Sequence, residues 1–107
     1  MLDKIKTELL QKLSQYFPLA EIEVEEKRSI ILEIRAVLNK NTFIEVYVNI
    51  FTEKKSFSLI SNKIRIMGYD NYKFWHSHPL DNPNNHLACE EPSLDLIFSK
   101  FKEGIKG

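Results

Sequence analysis

The sequence predicts an α+β domain: an antiparallel meander of four to five strands with an N-terminal and a C-terminal helix packed on the sheet. Three observations predict it. Apolar residues recur at helical spacing near each end of the chain. Between those segments the pattern changes to period two. The strand-like runs are separated by short polar turns with no helix between them, which argues against βαβ units. At 107 residues the chain suits one domain, residues 1–107, with a single modest core.

Leu2, Ile5, Leu9, Leu10, Leu13, Tyr16 and Phe17 share helical spacing, with Asp3, Lys4, Lys6, Gln11 and Lys12 on the other faces. Pro18 ends this helix, because it disfavours the helical conformation of the preceding residue. Ile22 and Val24 then alternate with Glu21, Glu23 and Glu25 in a half-buried strand with an acidic, solvated face. Lys27-Arg28-Ser29 is a hairpin turn, Ile30 to Leu38 a β-branched strand, and Asn39-Lys40-Asn41 a second turn. Ile44, Val46, Val48 and Ile50 alternate with Phe43, Glu45, Tyr47 and Asn49, and Glu53-Lys54-Lys55 turns the chain again. Phe57 to Met67 reads as one further strand, kinked near Ser61-Asn62.

From Tyr69 to Glu91 the periodicity is lost and Asn, Asp and Pro accumulate, which predicts an irregular loop with at most a short strand around Tyr72 to His76. Pro92 suits the first turn of a last helix, with Glu90, Glu91 and Asp95 near its positive end. Leu94, Ile97, Phe98, Phe101 and Ile105 mark its buried face.

The formal net charge is zero, so no whole-molecule basic field draws in nucleic acid. The single cysteine, Cys89, has no internal disulfide partner, which fits a reducing, cytoplasmic setting. No apolar run is long enough to span a bilayer, and the first residues lack a signal-peptide pattern. An antiparallel sheet of this kind leaves an edge to cover, and a homodimer through sheet edges or helix faces would cover it.

The chemistry is concentrated in one segment. All three histidines, His76, His78 and His86, follow closely on Tyr69-Asp70-Asn71. Residues i and i+2 of an extended segment point to one side, so His76 and His78 can present two imidazoles to one metal or phosphate. Asp70 and His86 are further ligand candidates, with zinc or another divalent ion as the implied guest, although no thiolate has diagnostic zinc spacing. Exposed loop histidines contribute little to a fold, so alanine at either position is expected to leave thermal stability nearly unchanged. The bland alternative is a non-catalytic protein-binding domain whose histidines only order the loop backbone.

Two resemblances follow from these residues. His76-Ser77-His78-Pro79 is similar to the motif with which JAMM metallopeptidases bind zinc. In that pattern a serine and an aspartate come next, and here His86 and Cys89 stand in their places. The second resemblance covers more of the chain. Gly68-Tyr69-Asp70-Asn71, the clustered histidines, and Glu91-Pro92-Ser93-Leu94 opening a helix follow in order. This series resembles the TumE-type family, regarded as toxins of type II toxin–antitoxin modules. It is strongest over residues 66–95, and the family commonly has a histidine-rich stretch where this chain has only His86. The resemblance implies a separately encoded antitoxin as partner.

By analogy with other small toxins, the substrate would be RNA, cut without a metal or other cofactor. His76, His78, His86 and Asp70 would be the catalytic set. Lys63 and Arg65 would meet phosphate, and Tyr72 and Trp75 would stack a base, with Phe74 a better candidate for packing than for stacking.

Overall fold

The computed structural model describes residues 2–79 and 87–106. Helix α1 (Leu2–Tyr16) is followed by strands β1 (Glu21–Lys27), β2 (Ile31–Val37), β3 (Thr42–Asn49), β4 (Lys54–Ser61), β5 (Ile64–Asp70), β6 (His76–His78) and β7 (Leu87–Ala88), and then by helix α2 (Leu94–Lys106). The strands form one antiparallel sheet in strictly sequential order. The fold is therefore α+β with a helix at each end, but the sheet has seven strands rather than four or five.

Two features account for the difference. The run from Phe57 to Met67 is two strands, because Asn62 and Lys63 both take left-handed backbone conformations (φ 53° and 69°) and reverse the chain. Two successive residues of this kind make the hairpin turn whose twist matches that of its strands. Arg28 and Ser29 (φ 55° and 56°) do the same between β1 and β2. The remaining strands come from the segment read as irregular, where His76–His78 pairs with β5 on one side and with β7 on the other.

Lysine carries a steric cost in the left-handed region that glycine does not. Lys63→Gly is therefore expected to raise unfolding free energy by about 0.5–1 kcal/mol, the lost strain outweighing the added freedom of the unfolded chain. Urea denaturation checks this.

Alternation decides what each face of the sheet meets. Leu32, Ile34 and Ala36 of β2 oppose Val48, Val46 and Ile44 of β3, and Ile44 and Val46 oppose Leu59 and Phe57 of β4. Phe57 and Leu59 in turn oppose Tyr69 and Met67. This face carries both helices. Leu2, Leu9 and Leu13 of α1 and Ile97, Phe98 and Phe101 of α2 complete the buried core. Phe98 is its centre: its ring meets Tyr16, Phe17, Phe57 and Phe101 at 6.2–6.4 Å between centroids.

Helix α2 begins after, not at, Pro92. The Ser93 hydroxyl accepts the Leu96 N–H at 3.0 Å as an N-cap. Asp95 in the first turn ties α2 to α1 by accepting from Lys12 Nζ (3.0 Å) and the Tyr16 hydroxyl (2.8 Å). The bonds from Lys12 and then Tyr16 hold the Asp95 carboxyl below its ordinary range, and the same carboxylate pushes the Tyr16 phenol up.

On the opposite face Glu33, Arg35, Glu45 and Tyr47 continue into Ser56, Ser58 and then Gly68 and Asp70. Among the described residues, no helix is long and apolar enough to cross a membrane.

Candidate functional site

Strand pairing builds the site. Asp70 lies directly across from His76, and Gly68 across from His78. Period two places these residues on one face, the face away from the helices. The histidines are therefore strand residues rather than residues of an exposed loop. Asp70, His76 and His78 are buried, with 4%, 6% and 1% of their surface exposed. That overturns the expectation that alanine at either histidine would leave stability unchanged.

Asp70 divides its carboxylate between the two rings. Oδ1 lies 2.9 Å from His76 Nε2, and Oδ2 lies 2.8 Å from His78 Nε2. Oδ1 also accepts the Tyr72 N–H at 3.3 Å, which closes the turn after β5. The turn is fixed from its other side by Asn71, whose side chain accepts from Lys55 N (2.7 Å) and donates to Glu53 O (2.8 Å). Asp70 thus ends the strand and orients the histidines at once.

The outer nitrogens have different partners. His76 Nδ1 is 2.9 Å from the Phe74 carbonyl, which only accepts, so this nitrogen carries hydrogen. His76 Nε2 faces the Asp70 Oδ1 oxygen, so a proton on either group would lie between them. His78 Nδ1 lies 3.2 Å from Arg65 Nη2, which only donates. His78 is therefore the tautomer with hydrogen on Nε2, directed at Asp70. The two rings stand edge to face, 5.1 Å apart, and Phe74 packs on His76 at 5.5 Å.

These groups floor a cleft of about 520 Å³ that Arg65, Tyr72, Lys73 and Phe74 complete. Tyr72 and Phe74 keep 44% and 56% of their surface exposed. Burial, and next the Asp70 charge, push the Tyr72 phenol up, so at neutral pH it is an uncharged donor. A larger hollow of about 590 Å³ lies farther along the same sheet face between Glu23, Glu25, Glu33 and Glu45. Its carboxylates repel anions, and it holds no histidine.

The structure thus brings together Asp70, His76, His78, Arg65 and Tyr72. It separates two other candidates. Lys63 stands exposed in the β4–β5 turn, and Trp75, one residue out of phase with His76, packs on the helix side beside Ile5 and Val48. Phe74 accordingly lines the cleft, where Trp75 was the expected residue, and Trp75 takes the packing position. His86 lies outside the described residues.

Lys73 and Gly68 are the additions, and the signal for Gly68 was an isolated glycine within a strand, which marks a close approach. A Cβ there would lie 2.7 Å from the Phe57 carbonyl oxygen and 3.4 Å from Arg65 Cδ.

One ligand atom from each of Asp70, His76 and His78 lies within 4.8 Å of the others, so the three could hold a metal ion. Cys89, at the aspartate position of the JAMM pattern, is exposed and not part of that group. Burial, and then Asp70, push its thiol up, away from the thiolate that binds zinc. Compared with models of protein families, with curated proteins and with solved structures, the chain matches none.

Proposed function

We propose that the protein is a TumE-like toxin of a toxin–antitoxin module, and that it cleaves single-stranded RNA without a metal. One observation carries the reading: a single cleft joins proton-transfer groups, cations and exposed aromatic rings. Asp70, His76 and His78 supply the first, Arg65 and Lys73 the second, and Tyr72 and Phe74 the third. Cleavage of single-stranded RNA can use each of them. A base removes the 2′-hydroxyl proton, the 2′-oxygen bonds to phosphorus, and the 5′-oxygen leaves and takes a proton from an acid. Cations stabilise the charge that grows on the phosphoryl oxygens. Unpaired bases stack on aromatic rings. In this reaction His78 is the base, oriented by Asp70. A proton held between His76 and Asp70 is the reserve for the leaving oxygen, and the partner protein is a separately encoded antitoxin.

The test is incubation of purified protein with a mixed-sequence single-stranded RNA in excess EDTA. The expected products end in 2′,3′-cyclic phosphate and 5′-hydroxyl, and expression in a host without the antitoxin arrests growth. Intact RNA together with unaffected growth would remove the proposal.

A second reading has its own support. A metal-ligating histidine characteristically donates its other N–H to a carbonyl, as His76 does to Phe74. In that reading Asp70, His76 and His78 hold zinc or another divalent ion, as a JAMM-like metallopeptidase would require. Arg65 weighs against it. A histidine bound to metal through Nε2 carries hydrogen on Nδ1, where the His78 ring meets a guanidinium donor. Stoichiometric zinc in the purified protein, lost in His78→Ala, would favour the metal reading.

A further inference from the structure

We propose that Arg65 is a phosphate-responsive cap on His78: at rest it covers Nδ1, and a phosphate anion bound in the cleft draws it away and uncovers the base. The inference deepens the RNA reading and rests on it only for the source of the phosphate.

The sequence prepares the arrangement. Arg65 and His78 are separated along the sheet by Gly68, the residue paired with His78. Because Gly68 has no side chain, the Arg65 stem can run close over the strand, its Cδ only 3.4 Å from where a Cβ would stand. The guanidinium reaches His78 Nδ1 in this way, at 3.2 Å. Arg65 has no carboxylate within ion-pair distance among the described residues, since Asp70 directs its two oxygens at the histidines. Its resting side-chain partner is an uncharged ring nitrogen.

That is a weak partner for an always-charged, five-donor group. A phosphate group offers two anionic oxygens in the bidentate geometry that matches the guanidinium, which a single neutral ring nitrogen cannot. Lys73 lines the same cleft and adds a second positive charge to attract the anion. When the guanidinium turns to phosphate, the Nδ1 lone pair faces the cleft, while Nε2–H remains on Asp70. The base thus becomes available only once the group to be attacked is in place. The 2′-hydroxyl proton then passes to Nδ1, and Asp70 balances the imidazolium charge that results.

The cap can be observed without catalysis. Full-length protein labelled with 15N at histidine and arginine is titrated with a short single-stranded deoxyoligonucleotide, which lacks the attacking hydroxyl, and separately with inorganic phosphate. In the wild type, the His78 Nδ1 resonance is expected to leave its hydrogen-bonded position while Nε2 stays protonated, and the Arg65 side-chain signals shift with the same midpoint. Arg65→Gln can still donate to Nδ1 but cannot pair with phosphate charge. It is expected to bind the oligonucleotide on the order of 10- to 100-fold more weakly and to show no His78 response. Arg65→Lys should recover part of the affinity, which sets loss of charge apart from loss of fold.

Unchanged His78 and Arg65 signals in the wild type with both probes, or equal affinity in Arg65→Gln, would overturn the cap. Uncapping by the probes with RNA left intact would retain the cap and remove the RNA reading. RNA cleavage without uncapping would do the reverse.

Discussion

Asp70→Ala is expected to lower unfolding free energy by about 3–5 kcal/mol, because it leaves two buried imidazoles and a turn N–H without the acceptor they share. The carboxylate is where two imidazoles and a turn N–H converge, and its residue is only 4% exposed. In a domain of this size each kcal/mol moves the melting temperature by roughly 4–8 °C, so calorimetry should find a drop of roughly 12 °C or more. Asp70→Asn separates stability from chemistry. Its amide group can donate to His76 Nε2 while its carbonyl accepts from His78 Nε2, and each ring is then satisfied as a neutral tautomer. This variant is expected to melt within about 1 kcal/mol of the wild type, the span of a retained neutral hydrogen bond. It is also expected to cleave RNA roughly 10²- to 10⁴-fold more slowly, the range supplied by acid–base catalysis. A fully active Asp70→Asn protein would show that the carboxylate is structural alone.

Phe98→Ala acts at the other face of the sheet with an effect of similar size. The ring is fully buried and touches aromatic residues from α1, the α1–β1 connection, β4 and its own helix. Removing a buried phenylalanine costs about 3–5 kcal/mol through lost transfer energy and the cavity left behind. Total stabilities of small domains are about 5–15 kcal/mol, so a large share would be gone. Urea denaturation should show a lower midpoint with an unchanged slope. A loss below about 1 kcal/mol would mean that the neighbouring rings collapse into the space.

The same residues show what was legible beforehand. The period-two runs of β2 and β3 and the helical stripes of α1 and α2 could be read directly, because core faces impose their spacing on sequence. The β4–β5 reversal was obscured because Ile60, Ile64 and Ile66 keep the surroundings apolar through the turn. Only Asn62, tolerant of left-handed backbone, hinted at it.

At the site, the convergence of His76 and His78 followed from their i, i+2 spacing. Their burial did not, because the contacts of Arg65 with His78 and of Phe74 with His76 are set by strand pairing rather than by local spacing. Parity decides the places of Phe74 and Trp75: Phe74 is two residues from His76 and shares its face, whereas Trp75 is one residue away and turns inward.

The sequential strand order also bears on how the chain folds. Every strand hydrogen-bonds only to its immediate neighbours in sequence, so each hairpin closes a short loop and loses little closure entropy. The docking of α2 on α1 is different, since Lys12 and Asp95 are 83 residues apart. A meander of low contact order can zip rapidly from turn to turn, while the helix that brings Phe98 and Phe101 to the core closes the longest loop. The β5–β6 hairpin with its histidines can therefore form from local contacts, whereas the helix on the opposite side of the sheet docks only when distant parts of the chain meet.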